Sequence, residues 1–262
     1  MPVVTKHEPG SFCWPELATS DAGGAKAFYK GVFGWDANDS PAGPDMVYTT
    51  LERSGKSVGA LYGLGAQEKG VPPHWNIYVA VASADDTAEK AKALGGKVLM
   101  EPFDVMEHGR MAVIEDKQGA AICIWEAKKH IGAEVINEPG SLCWAELDTN
   151  DTDSAGSFYT ELFGWGKKGG GQAANETAYT EWQLGGKSIG GMMTIPKEWG
   201  PVPPNWLVYF AVADVDAAAK KVGELMGAAI VPPTDIPDMG RFAVLRDPQG
   251  AVFAVFRPAA GW

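Results

Sequence analysis

The sequence predicts an α+β protein built as two tandem domains in which strands outnumber helices. Two observations lead there. A set of motifs is written twice, 130 residues apart at first and 131 farther on, and within each copy short alternating segments are interrupted by two amphipathic ones. Glu8-Pro9-Gly10-Ser11-Phe12-Cys13-Trp14-Pro15-Glu16-Leu17 returns as Glu138-Pro139-Gly140-Ser141-Leu142-Cys143-Trp144-Ala145-Glu146-Leu147. Phe28-Tyr29 and Val32-Phe33-Gly34-Trp35 return as Phe158-Tyr159 and Leu162-Phe163-Gly164-Trp165. Farther on, Asp116-Lys117-Gln118-Gly119-Ala120 returns as Asp247-Pro248-Gln249-Gly250-Ala251. Two long copies are too few and too large for a stacked solenoid, so two globular domains are expected, at 7–127 and 137–258.

Within the first copy Phe12–Ala18 alternates and is rich in strand formers. Ser20-Asp21 can cap a helix that runs to about Phe33, where Gly34 ends it. Ala25, Phe28, Tyr29 and Val32 fall at helical spacing and form its core-facing stripe. Met46–Leu51 and Ser57–Tyr62 read as strands around a Ser54-Gly55-Lys56 turn. Asn76–Val81 is another strand, Asp85–Leu94 a second helix stopped by Gly95-Gly96, and Lys97–Glu101, Arg110–Glu115 and Ala120–Trp125 are closing strands. The copy therefore reads β-α-β-β followed by β-α-β-β-β. The second copy repeats it, with helices at Thr152–Phe163 and Val215–Met226. The glycine groups Gly63-Leu64-Gly65 and Gly169-Gly170-Gly171 read as flexible loops, because neither has the strand–turn–helix context of a phosphate loop.

Two helices cover only one face of such a sheet, so the other face lines a core, a partner or a cavity. Alternation places Ile77, Val79 and Val81 on the helix side and Asn76, Tyr78 and Ala80 on the other. The same parity groups Phe12, Trp14 and Glu16 against Cys13, Pro15 and Leu17, and Ala121, Cys123 and Trp125 against Ile122 and Ile124. A face that mixes Trp, Tyr, Glu, Asn and Cys suits a small-molecule site.

Composition narrows the function. Twenty-two Lys and Arg against 33 Asp and Glu give a net charge of −11, which disfavours nucleic acid and anionic lipid as partners. No apolar run approaches the ~20 residues of a membrane span. The opening MPVVTKHEPGS lacks the basic and apolar regions of a signal peptide, and the three cysteines form no disulfide framework. A cytoplasmic protein is expected, either a monomer or a homodimer, with a small-molecule ligand.

The doubled motif set, above all the Phe-Tyr…Val-Phe-Gly-Trp helix end and the Gly109-Arg110…Asp116-Lys117-Gln118-Gly119-Ala120 hairpin with its second copy, resembles the vicinal oxygen chelate superfamily. That group holds glyoxalases, bleomycin-resistance proteins and extradiol dioxygenases. The resemblance implies two glyoxalase-like domains, each of paired βαβββ modules forming a curved mixed sheet with helices on the convex face. Metal-dependent members carry a His early in a module's first strand and a Glu or His in its last, chelating a divalent ion that acts as a Lewis acid. In this chain the first-strand positions fall on Trp14, Trp144, Asn76 and Leu207, and the last-strand positions on Cys123 and Ala254. None is His or a carboxylate, so no metal or other cofactor is expected at the standard positions.

Glu16 and Glu146, one pleat beyond those positions on the same face, are the candidate acid–base residues; the alternative is an ion pair with Arg110 or Arg241, or a wet domain edge. Trp14, Asn76, Tyr78, Cys123, Trp125, Trp144 and Tyr209 are candidate ligand contacts, joined by Arg110 and Arg241, which could clamp a carboxylate or carbonyl although such an arginine more often pins its own loop to Asp104 or Asp116. His74 and His108 have no counterparts in the second copy; with Glu16 they could form a facial metal triad, but their loop positions speak against it. His7 and His130 read as surface residues of the terminus and the linker. A metal-free binder of an aromatic or amphipathic metabolite, an acid–base lyase, isomerase or hydroxylase-like enzyme, and an interaction protein whose cups are filled by the chain itself all remain open at this point.

Overall fold

The computed structural model describes residues 3–43, 46–65, 68–172 and 178–259. The first half contains β1 (Phe12–Thr19), α1 (Ala22–Phe33), β2 (Asp36–Pro41), β3 (Val47–Arg53), β4 (Lys56–Gly63), β5 (His74–Ala80), α2 (Ala84–Ala93), β6 (Lys97–Val105), β7 (Gly109–Glu115) and β8 (Ala121–Ala127). The second half repeats the order with β9 (Leu142–Thr149), α3 (Thr152–Phe163), β10 (Gly166–Gln172), β11 (Ala178–Leu184), β12 (Lys187–Thr194), β13 (Asn205–Ala211), α4 (Val215–Glu224), β14 (Ala228–Ile236), β15 (Gly240–Arg246) and β16 (Val252–Pro258). Each half is one eight-stranded mixed sheet, ordered β2-β3-β4-β1-β5-β8-β7-β6 and β10-β11-β12-β9-β13-β16-β15-β14. Two βαβββ modules meet where β1 runs antiparallel to β5 and β9 to β13.

Local chemistry sets the element ends. Asp21 caps α1 through the Gly24 amide, and Gly34 closes it at φ 74°, donating its N–H to Lys30. Asp151 and Gly164 (φ 73°) do the same for α3, an Asx cap and a left-handed glycine stop. The sequence reading omits β2 and β10. β2, DANDSP, is exposed along its whole length, and β10 contains the glycine run expected as a loop, paired instead to β11. Both are outermost strands, which bury no face and so leave no apolar alternation to read.

The two sheets stand back to back, touching directly through their central strands β1, β5, β9 and β13, with the helices packed against each other beside that contact. One core spans both: Phe12 lies 5.2 Å from Trp165 and 5.5 Å from Trp206, and Phe33 lies 5.2 Å from Phe210. Trp35 Nε1 donates to Gly140 O at 2.8 Å, and Trp165 Nε1 to Gly10 O at 2.7 Å. Helix α1 packs on α4 and α2 on α3. A Cβ at Gly96 would stand 2.8 Å from Phe158 Cε2, so the halves close on each other at backbone distance. Back-to-back docking turns the helix-free face of each sheet, its cup, away from the shared core, where each carries its own cluster of side chains.

The helix-side and cup-side sets follow strand alternation except at one place. The register of β1 on β5 shifts between Phe12 and Trp14. This bulge turns Phe12 into the shared core and brings Cys13 into the cup beside Trp14, correcting the parity expected for both residues.

Candidate functional site

Each cup is built on its central strand. In the first, Glu16 stands on β1 between Ala60 of β4 and Asn76 of β5 and is only 8 % exposed. Tyr48 Oη donates to its Oε1 at 2.7 Å and Tyr78 Oη to its Oε2 at 2.7 Å. Trp14 Nε1 donates onward to Tyr48 Oη at 3.1 Å. Burial raises the Glu16 carboxyl above its ordinary range, while the two tyrosine bonds and the His74 charge act in the opposite direction. Tyr48 and Tyr78 are pushed well above the usual phenol range, first by burial and then by the Glu16 charge. Glu16 is thus partnered by tyrosines from the adjacent β5 and from β3, two strands away, and not by Arg110.

Cys13, Tyr78, Cys123 and Trp125 line the same cup. Burial raises both thiols, so neither is a ready thiolate nucleophile. The segment between the domains folds over this cup. Trp125 Nε1 donates to His130 O at 2.8 Å, and the His130 ring stands edge-on to Trp14 with centroids 4.6 Å apart. Ala133 N donates to Cys13 O at 2.8 Å, and His7 Nε2 bonds Ala133 O at 2.8 Å. His7 and His130, expected at the surface, are therefore packing residues. Burial foremost, and the nearby His108 charge next, lower His130 to about 4, so it stacks as a neutral ring at pH 7.

The second cup repeats the plan. Glu146 is 7 % exposed and accepts from Tyr209 Oη at 2.8 Å, and the Tyr179 hydroxyl bonds the same carboxylate. Trp144 Nε1 donates to Tyr179 Oη at 2.9 Å. Tyr179 lies across Gly191, where a Cβ would collide with its hydroxyl; the first cup carries Ala60 at the corresponding place. Leu207, Tyr209, Ala254 and Phe256 complete the wall. Burial likewise raises the Glu146 carboxyl.

One carboxylate has no counterpart in the first cup. Asp148 follows Glu146 by one pleat, where β1 has Ala18, and pairs across the sheet with Met193 and Asn205. It is 4 % exposed, and its Oδ1 is buried without a hydrogen-bond partner. Burial, and then the Glu146 charge, push its carboxyl up to about 8. Tyr48, Tyr179 and Asp148 were absent from the sequence-derived candidates. For Asp148 the signal was present: a carboxylate at the position where the repeat otherwise has alanine.

Arg110 and Arg241 lie on the other side of their sheets. On β7 the cup-facing residues are Met111 and Val113, so Arg110 projects toward α2, where its Nε and Nη2 hold Asp85 at 2.7 and 2.8 Å. Arg241 holds Asp216 in the same way, at 2.8 and 2.9 Å. Both are tied to the first turn of a helix and also to their own hairpin, Arg110 to Asp104 at 3.5 Å and Arg241 to Asp235 at 2.9 Å, so they reach neither cup and take the structural role rather than that of a ligand clamp. His74 bonds Pro72 O through Nδ1 at 2.8 Å, and His108 is exposed in the β6–β7 hairpin. Among the described residues no three His, Cys, Asp or Glu side chains gather as a metal-holding group.

With this geometry the family is defined. The chain belongs to the Glyoxalase/Bleomycin resistance protein/Dioxygenase superfamily, whose model matches residues 12–124 and again 129–255. A protein named as a glyoxylase, CFP32 of Mycobacterium tuberculosis, is 42% identical over 262 residues, covering 99% of both chains. The anthracycline biosynthesis protein DnrV of Streptomyces peucetius is 35% identical over 274 residues, covering 99% of this chain and 97% of DnrV. Among solved structures, the Mn(II)-bound glyoxalase from Novosphingobium aromaticivorans superposes with a TM-score of 0.65 at 15% identity, covering 95% of this chain and 82% of that one. At that identity the likeness speaks for the fold alone.

A divalent metal of the kind the family implies does not fit the donors present. The implied positions are Trp14, Asn76 and Cys123 in one cup and Trp144, Leu207 and Ala254 in the other. Indole and alkyl groups offer no lone pair to a metal, an amide oxygen is a weak ligand, and the Cys123 thiol is held protonated by burial. Both oxygens of Glu16 already accept tyrosine hydroxyls.

Proposed function

We propose that the chain is a small-molecule-binding member of the superfamily that holds an aromatic or amphipathic metabolite against the concave face of a sheet, without a divalent metal. One observation carries this reading. In both cups the implied metal positions are occupied by Trp, Asn, Cys, Leu and Ala, and the nearby carboxylate is engaged by tyrosine hydroxyls. Aromatic rings around one polar anchor supply stacking area and an orienting bond, the usual composition of a small-molecule site. Trp14, Asn76, Tyr78, Cys123 and Trp125 would contact ligand in one cup, and Trp144 and Tyr209 in the other. The names of the relatives, a glyoxylase and an anthracycline biosynthesis protein, agree with a ligand of metabolite size.

An acid–base enzyme is the second reading. It is favoured by the raised carboxyls of Glu16 and Glu146, because a carboxyl that keeps its proton closer to neutral pH can deliver it to a bound substrate.

Isothermal titration calorimetry with 1-naphthylmethanol in EDTA-containing buffer tests the binding reading. Saturable binding that weakens in Trp144→Ala or Trp14→Ala is expected. Binding that appears only after Mn(II) replaces EDTA would contradict it.

A further inference from the structure

The two cups differ in charge, although the repeat that builds them is nearly the same. Beside Glu16 the first cup has Ala18. Beside Glu146 the second has Asp148, 4 % exposed and carrying an oxygen without a hydrogen-bond partner. Two strands farther out Glu181 stands in the same cross-strand row as Glu146, with Gly191 between them. Glu181 is 7 % exposed and bonded by Ser188, with Lys168 3.4 Å away at the rim. Lys168 is the one cation that the described geometry brings to these carboxylates, and it serves Glu181 rather than Asp148. The hydroxyls of Tyr179 and Tyr209 bond Glu146, and Trp144 Nε1 bonds Tyr179 in turn.

A buried carboxylate that lacks a donor costs free energy, and an acidic group beside it adds to that cost. The missing partner is therefore a donor, and a positively charged donor offsets both penalties together.

We propose that the second cup recognises a cationic amine, a protonated primary or secondary ammonium carried on an apolar or aromatic body, through Asp148 acting with Glu146. The inference rests on the small-molecule reading above and names the ligand class for one of its two cups. On binding, the ammonium N–H groups donate to Asp148 Oδ1 and to the carboxylate beside it. Burial and the Glu146 charge bias the Asp148 carboxyl toward its protonated form in the free protein; the arriving ammonium favours the ionised form, and the proton goes to the buffer. No covalent bond changes in the ligand.

The first cup, with Ala18 at this position, has no such preference. Asn in place of Asp148 keeps the shape and removes the charge, whereas Ala copies a residue that the first cup already accommodates.

The test is calorimetric titration of two probes of matched shape, 1-naphthylmethylamine and 1-naphthylmethanol, at pH 7. The amine is expected to bind the wild-type chain about tenfold or more tighter than the alcohol. Titrations in phosphate and in Tris, which differ in ionisation enthalpy, are expected to show net proton release when the amine binds. Asp148→Asn and Asp148→Ala should bring the amine down to the level of the alcohol and abolish proton release, with the alcohol changed less than about twofold.

Equal affinities in the wild-type chain, or an amine preference that survives both substitutions, would overturn this inference and leave the small-molecule reading standing. Binding of neither probe would overturn both.

Discussion

Tyr29→Phe removes one oxygen from the seam between the two halves. Tyr29 lies on α1 and is fully buried. Its hydroxyl donates to Asp247 Oδ2, in the turn between β15 and β16 of the other half, at 3.0 Å, and accepts from Trp75 Nε1 at 3.0 Å. The other Asp247 oxygen stays bonded to the amides of Gln249, Gly250 and Ala251. Phenylalanine keeps the stacking of the ring on Trp35, so the loss is confined to two orphaned partners, a carboxylate oxygen 2 % exposed as a residue and an indole N–H 5 % exposed. At about 1–3 kcal/mol for each buried polar group left unsatisfied, the substitution is expected to cost about 2–6 kcal/mol. The opposite seam repeats the arrangement. Tyr159 accepts from Trp206 Nε1 at 3.0 Å, and its hydroxyl bonds the Asp116 carboxylate of the first half. Tyr159→Phe orphans the matching pair and is expected to cost about the same. Urea unfolding followed by tryptophan fluorescence and far-ultraviolet circular dichroism measures both. Comparable losses are expected, with the two probes coincident in each variant. A cost below about 1 kcal/mol for either variant would refute the assignment of these bonds as clasps between the halves.

Two further predictions concern the second cup. The Asp148 carboxyl, raised to about 8 in the folded chain, has an ordinary value near about 4 when unfolded. Between those limits the native state holds a proton that the unfolded state releases, so this group lowers stability progressively as pH rises. Asp148→Asn should therefore gain thermal stability relative to wild type as pH goes from about 4 to 8; a melting-temperature difference independent of pH would show that the carboxyl is not buried as described. Gly191→Ala places a methyl group against the Tyr179 hydroxyl and should displace that ring from Glu146 and Trp144. The near-ultraviolet dichroism and the fluorescence of Trp144 would then change while the far-ultraviolet spectrum stays native. An unchanged near-ultraviolet spectrum would count against the packing of Tyr179 across this glycine.

The repeat made most of this architecture readable. Wherever a strand buries one face, parity alone separates Ile77 and Val79 from Tyr78, and Ile122 and Ile124 from Cys123 and Trp125. It failed at Phe12 because a bulge inserts one residue, and nothing in the Ser11-Phe12-Cys13-Trp14 stretch announces it. It failed at β2 and β10 because an exposed outermost strand needs no apolar pattern. Glu16 and Glu146 were marked by their place beside the implied metal positions. Their partners Tyr48 and Tyr179 come from strands two removed in the sheet order, a proximity that spacing along the chain does not encode. His130 was hidden for a related reason: a polar, charged linker reads as solvated, and only the fold shows it lying over Trp14 and Trp125. Arg110 had the chemistry of a ligand clamp, but strand parity turns it toward Asp85 on α2.

The central claim is that these cups present aromatic rings and tyrosine-bonded carboxylates in place of a metal chelate. Elemental analysis tests it most directly: untagged protein purified without chelator is equilibrated with Mn(II), Fe(II), Ni(II) and Zn(II) in turn, then separated from free metal. Bound metal well below one ion per chain, unchanged by Glu16→Gln or Glu146→Gln, is the predicted result. One ion per chain that is lost in either variant would contradict the account and place a metal centre in the cup that carries the substituted residue.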